Sequence, residues 1–143
     1  MTANGWFFWA AMSAVFAALT AIFAKVGIQG VDSDLATLIR TAIIIVVLSV
    51  FVVAAGKWTN PLELSGKTWV FLGLSGLATG ASWVCYFRAL KIGDASKVAP
   101  VDKFSLVLVA VFAFAFLGAR PSLREWSGIA LVASGVLVLA FRR

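Results

Sequence analysis

Polar and apolar positions in this chain are sorted into blocks. Residues 5–24, 41–55, 68–87, 104–119 and 126–141 contain no charged side chain at all. A helix needs about 20 residues to cross about 30 Å of hydrocarbon, and each block reaches that length with its flanking residues. The pattern predicts helices over about 4–26, 33–55, 67–90, 96–118 and 122–141. Their ends are marked by turn chemistry. Gly27-Ile28-Gln29-Gly30 closes the first, and Asp32, Ser33 and Asp34 offer cap oxygens to the second, which stops at Gly56. The third ends at Gly93. The fourth tolerates Pro100 in its early turns and stops at Gly118. The fifth opens on Ser122-Leu123-Arg124-Glu125, a capping-box pattern after Pro121. Trp6, Trp9, Trp58, Trp69 and Trp126 fall near these ends, where an amphipathic indole prefers the headgroup layer, whereas Trp83 lies well inside the third helix.

Composition places these helices in a membrane. Of 143 residues, 62% are hydrophobic and 13% charged, against roughly 45–50% and about 25% in soluble proteins. A soluble globule would have too few polar side chains to cover its surface. The expectation is an all-α, multi-pass integral membrane protein of five transmembrane helices, one domain over 1–143. With no His and a single Cys, zinc sites, disulfide frameworks and Ser-His-Asp or Cys-His catalysis lack their parts. No cofactor or metal and no enzymatic activity are expected. No Lys or Arg precedes the first apolar block, which reads as a retained helix rather than a signal peptide. The net charge of +6 is scattered between apolar blocks, so it suits anionic lipid headgroups better than nucleic acid.

Five spans put the termini on opposite sides. The face of the N-terminus carries Lys57, Lys67, Arg120 and Arg124; the other carries Lys25, Lys91, Lys97, Arg142 and Arg143. Four cations against five give almost no orientation bias. One fixed orientation and insertion in both orientations stay open, and the second would let two copies assemble antiparallel.

Charges inside the blocks' edges carry the candidate chemistry. Arg40 lies about seven residues into the second helix, roughly 10 Å from its start, and Asp102 and Lys103 lie at similar depth in the fourth. Arg88 and Lys25 sit near the ends of the third and first. All five belong to one layer. An ionisable residue at membrane depth costs about 2.5–3.5 kcal/mol on insertion scales, so it usually faces a partner or water. Lys25, Arg88 and Arg40 can snorkel to the interface, but the short side chain of Asp102 cannot. Adjacent Asp102 and Lys103 point about 100° apart on a helix, so Arg40 or Arg88 is the expected cation for Asp102. That acid is either a structural ion pair or a proton carrier. In the third helix Ser75, Thr79, Ser82 and Tyr86 share roughly a 60° arc, either bonding a neighbouring helix or, with Trp83 and Phe87, walling a cavity. Gly73, Gly76 and Gly80 form a nearly opposite face suited to close helix packing, as do Gly128 and Gly135 in the fifth helix. Cys85 reads as apolar filler.

The segment Ala89-Leu90-Lys91-Ile92-Gly93-Asp94-Ala95-Ser96-Lys97-Val98-Ala99-Pro100, then Leu117-Gly118 and Trp126-Ser127-Gly128 with Gly135, resembles the EamA-type pattern of the drug/metabolite transporter superfamily. With Ala21-Ile22-Phe23-Ala24-Lys25, Ala36-Thr37-Leu38-Ile39-Arg40-Thr41 and Val101-Asp102-Lys103-Phe104-Ser105, nearly the whole chain resembles its short five-helix branch. It departs at Ala119, where many members have Glu after Leu-Gly, and it lacks a Pro common later in the fourth helix. The resemblance implies half of a ten-helix transporter built from two oppositely oriented repeats, hence an antiparallel homodimer around a central cavity. Alternating access is the general logic of such inverted repeats.

The combined expectation is a secondary transporter, with proton coupling as one option, for a small organic metabolite or drug-like solute. Trp83, Tyr86, Thr79, Ser82 and Arg40 are its expected substrate contacts. Asp102, Lys103, Arg88 and Lys25 form an expected ionic gate or coupling set, and Gly76, Gly80, Gly128 and Gly135 the packing faces. Its expected partners are a second copy, the solute and lipids, but no nucleic acid, in the inner (cell) membrane of a bacterium or archaeon. The competing reading is a non-transporting membrane subunit that assembles with or regulates another transporter.

Overall fold

The computed structural model describes residues 5–141. Asn4, the expected start of the first helix, and the terminal cations Arg142 and Arg143 lie outside the described residues. Those residues are helical with no strand, and five spans are long and apolar enough to cross a membrane. The helices are α1 (Gly5–Gly27), α2 (Ser33–Ala54), α3 (Gly66–Ile92), α4 (Ala95–Asp102), α5 (Ser105–Leu117) and α6 (Leu123–Ala140). Four of the five predicted helices match to within a residue or two. The fourth does not run continuously: it is interrupted at Lys103–Phe104 into α4 and α5, which together make one span.

The chain packs as two units, Ile22–Ile92 and a second comprising 5–21 with 93–141. In the first, α2 packs along α3. The Ile-Ile-Ile-Val-Val run of α2 has strand-forming side chains, yet it is helical, because in hydrocarbon a lone segment can satisfy its backbone only internally. Asp32 caps α2, its Oδ1 accepting from the amides of Asp34 (2.9 Å) and Leu35 (3.1 Å). The helix stops because Gly56 takes φ 64°, so that Lys57 N donates to Val52 O and Gly56 N to Val53 O. This is the paired 6→1 and 5→2 arrangement that consumes orphan carbonyls, and a Cβ at Gly56 would strain it. In the loop that follows, a 3₁₀ turn over Pro61–Glu63 is held by the Trp69 indole, which donates to Pro61 O at 3.1 Å. Ser65 caps α3 through Thr68 N.

Buried side chains of this unit gather where α1 ends, α2 begins and α3 ends: Ile28, Thr37, Phe87 and Leu90. Farther along, α2 and α3 expose Val46, Val47, Leu48, Phe71 and Leu72, as lipid-facing spans do. In the second unit, α6 packs on both α4 and α5. The expected capping box forms: Glu125 N donates to Ser122 Oγ at 3.3 Å, and Ser122 N donates to Glu125 Oε2 at 2.6 Å. Phe114 of α5 meets Trp126 of α6 edge-on at 6.3 Å.

Candidate functional site

The site follows from how two antiparallel helices align. The first turns of α2 lie beside the last turns of α3, so residues early in one face residues late in the other. Arg40 reaches across rather than back along its own helix. Its guanidinium carbon stands 4.3 Å from the centre of the Trp83 ring and 5.5 Å from that of Phe87. Trp83 is nine residues before the end of α3, roughly 14 Å along the axis, so the guanidinium lies within the span. Arg40 and Trp83 are half-buried and Phe87 is buried. The two hydroxyls flanking Arg40 are turned inward to their own helix: Thr37 donates to Ser33 O at 2.8 Å and Thr41 to Thr37 O at 2.7 Å.

Arg88 is committed elsewhere. Its Nε donates to Asp34 Oδ1 at 2.9 Å and its terminal nitrogen to Asp34 Oδ2 at 2.6 Å, a bidentate fork that uses both carboxylate oxygens. Asp34 had been legible only as a cap residue, but Asp32 performs the capping and Asp34 is released for the ion pair. The signal that could have found it is the same antiparallel alignment, which sets an acid in the first turn of α2 against a cation near the end of α3.

A second pair of cations joins the same end. Lys25, near the end of α1, donates to Leu90 O in the last turn of α3 at 2.7 Å. Lys91, near the end of α3, donates back to Ile28 O at 3.3 Å and to Val31 O. Those carbonyls belong to the α1–α2 turn, where Gly30 at φ 75° lets Val31 N reach Ile28 O. Each lysine thus donates to carbonyls at a helix end or in the turn that follows, and its charge complements the negative end of a helix dipole.

Arg88 is paired with Asp34, and Arg40 forms no ion pair with a carboxylate among the described residues. The partner of Asp102 is its own neighbour, Lys103, whose Nζ is 3.3 Å from Asp102 Oδ2. The expectation that these neighbours would not pair assumed a continuous helix. At the interruption the amides of Lys103, Phe104, Leu106 and Val107 donate three residues back instead of four. This tighter winding, with the long lysine stem, brings the ammonium to the carboxylate.

The polar stripe of α3 is divided in character. Thr79 donates to Ser75 O at 2.8 Å, a bond within the helix, and Thr79 and Ser82 are exposed. Tyr86 is half-buried with its ring edge-on to Phe87 at 6.4 Å. At Gly76, Gly80, Gly128 and Gly135, a Cβ would meet no described atom within 4 Å beyond the adjoining backbone of the same helix. An open groove of about 630 Å³ runs between α5 and α6, lined by Val109, Ala110, Gly128 and Ile129 together with Arg120 and Glu125.

Residues 4–141, almost the full length, match the EamA-like transporter family. The chain belongs to that family. It is 58% identical over 137 residues to an uncharacterized transporter in the cobO 3' region of Sinorhizobium sp., covering 96% of this chain and 97% of the relative. It is 24% identical over 136 residues to the uncharacterized transporter YxxF of Bacillus subtilis (strain 168), of which it spans only 42%. ArnE of Yersinia pestis (strain Pestoides F), named a "Probable 4-amino-4-deoxy-L-arabinose-phosphoundecaprenol flippase subunit", is 28% identical over 89 residues, covering 62% of this chain and 78% of the relative. No solved structure matches. Family and spans together make this a multi-pass membrane transport protein.

Proposed function

We propose that the chain is half of a secondary transporter, completed by a second copy in the opposite orientation, and that it moves a small organic solute by alternating access across a bacterial inner membrane. The observation that carries this reading is the pair of coverages: nearly the full length of one transporter relative, but 42% of another. A five-helix unit that corresponds to under half of a larger relative needs a counterpart, and the balanced Lys/Arg count leaves both orientations accessible. In this arrangement Arg40, Trp83, Tyr86, Thr79 and Ser82 meet the solute. Asp102 and Lys103 act as gate or proton-coupling pair, and Lys25 and Arg88 hold the same end of the bundle together. Gly76, Gly80, Gly128 and Gly135 supply faces for the second copy.

A second reading draws on the word "subunit" in the name of ArnE: the chain pairs with a different half-size protein and does not transport alone. Reporters active on opposite sides of the membrane, fused to the C-terminus, separate the two. Comparable signal from both reporters and solute flux by the purified chain alone in proteoliposomes are expected. Signal from one reporter only, with flux appearing only after a partner protein is added, would establish the second reading instead.

A further inference from the structure

Arg40 differs from every other cation of its unit whose bonds have been described. Arg88 is paired with Asp34, and Lys25 and Lys91 donate to backbone carbonyls. Arg40 carries its charge within a span, where a lone ion is expensive, and it forms no ion pair among the described residues. Beside it are aromatic rings: its guanidinium carbon stands over those of Trp83 and Phe87.

A cation over aromatic rings is attracted by their quadrupoles, but the rings give its N–H donors no oxygen. The five N–H donors of a guanidinium lie in one plane, arranged as a fork that fits two oxygens of a carboxylate or phosphate. The nearby threonine hydroxyls donate to their own helix. Asp34, early in the same helix, has both oxygens engaged by Arg88.

We propose that the Arg40 guanidinium, beside Trp83, is the binding site for an oxyanion, a carboxylate or phosphate carried by the transported solute. The inference rests on the transporter reading for the word "solute" and on the Arg40–Trp83 geometry for the word "oxyanion". A neutral or purely cationic solute would leave the fork without a partner inside the membrane. Within this unit the carboxylate of Asp34 is already paired with Arg88, and that of Asp32 caps α2. The adjoining Trp83 and Phe87 rings favour a ligand with an apolar body next to its charged group.

The test uses the full chain in phosphatidylcholine nanodiscs, titrated calorimetrically with phenyl phosphate, benzoate and benzylammonium. Binding of either anion but not of benzylammonium is expected. Arg40→Gln should weaken anion binding by about tenfold or more, and Arg40→Lys, which keeps the charge but loses the fork, by about threefold or more. Arg120→Gln, distant in sequence and outside the site, should leave it unchanged. Benzylammonium bound as well as the anions, no binding of any probe, or full anion affinity in Arg40→Gln would overturn the proposal. If Arg40→Gln fails to fold, Arg40→Lys decides, and unaltered affinity there overturns it equally.

Adding phosphatidylglycerol to the nanodiscs identifies the source of the oxyanion. Displacement of phenyl phosphate by this lipid in an Arg40-dependent manner assigns the group to a lipid headgroup. No displacement assigns it to a water-soluble solute. Flux is read separately in proteoliposomes. Anion-selective binding without flux would end the transporter reading but leave the oxyanion site standing. Flux indifferent to Arg40→Gln, with no anion preference, would do the reverse.

Discussion

Lys25 and Lys91 show what a single ammonium can do at a helix end in a membrane protein. In water the last carbonyls of a helix bond to solvent. Near hydrocarbon they need donors from the protein. Lys25 serves Leu90 O and Lys91 serves Ile28 O and Val31 O, so α1, its following turn and α3 are joined twice in opposite directions. Because Leu90 and Ile28 are buried, water replaces a lost lysine poorly. Lys25→Met is expected to cost about 1 kcal/mol, read as a lower unfolding temperature in detergent, and Lys91→Met a similar amount. An unchanged midpoint in both would show that these bonds do not support the bundle. From sequence, Lys25 read equally well as a snorkelling side chain. Whether an ammonium turns to headgroups or to a carbonyl depends on where another helix ends, which no local pattern contains.

The helices themselves divide in the same way. The ends of α2 and α6 were readable because a cap involves residues within one turn: Asp32 with Asp34 and Leu35, and Ser122 with Glu125. The interruption between α4 and α5 was not. Pro100 marked the early turns, but the tightened winding falls at Lys103–Phe104, where an acid and a base share a span and meet at 3.3 Å. A short stretch wound more tightly than an α-helix is a natural place for a span to bend, and the Asp102–Lys103 pair sits at that joint. If Asp102 carries a coupling proton, Asp102→Asn removes the pH dependence of flux in proteoliposomes while the purified protein keeps its helix content. Retention of pH-dependent flux by that variant would leave the pair with a structural role only.

For the whole molecule the informative feature is what the chain leaves uncovered. Gly76 and Gly80 could admit a close helix, and beyond the adjoining backbone of α3 no described atom lies within 4 Å of where a Cβ would stand at either. Gly76→Leu and Gly80→Leu are therefore expected to keep the helical content of the chain but weaken self-association by about tenfold or more, about 1.4 kcal/mol, measured by light scattering in detergent. A dimer that survives both substitutions would move the interface to another face. The number of spans, their lengths and most of their ends follow from the order of residues alone, because the cost of exposing backbone to hydrocarbon acts on each segment separately. The pairing of charges does not. Arg88 found Asp34, Asp102 found Lys103, and Arg40 came to rest on Trp83. Which oxygen or ring lies within 3 or 4 Å of a cation is settled only when helices pack side by side and one of them tightens, and Coulomb and cation–π forces at that range respond to position rather than to sequence order.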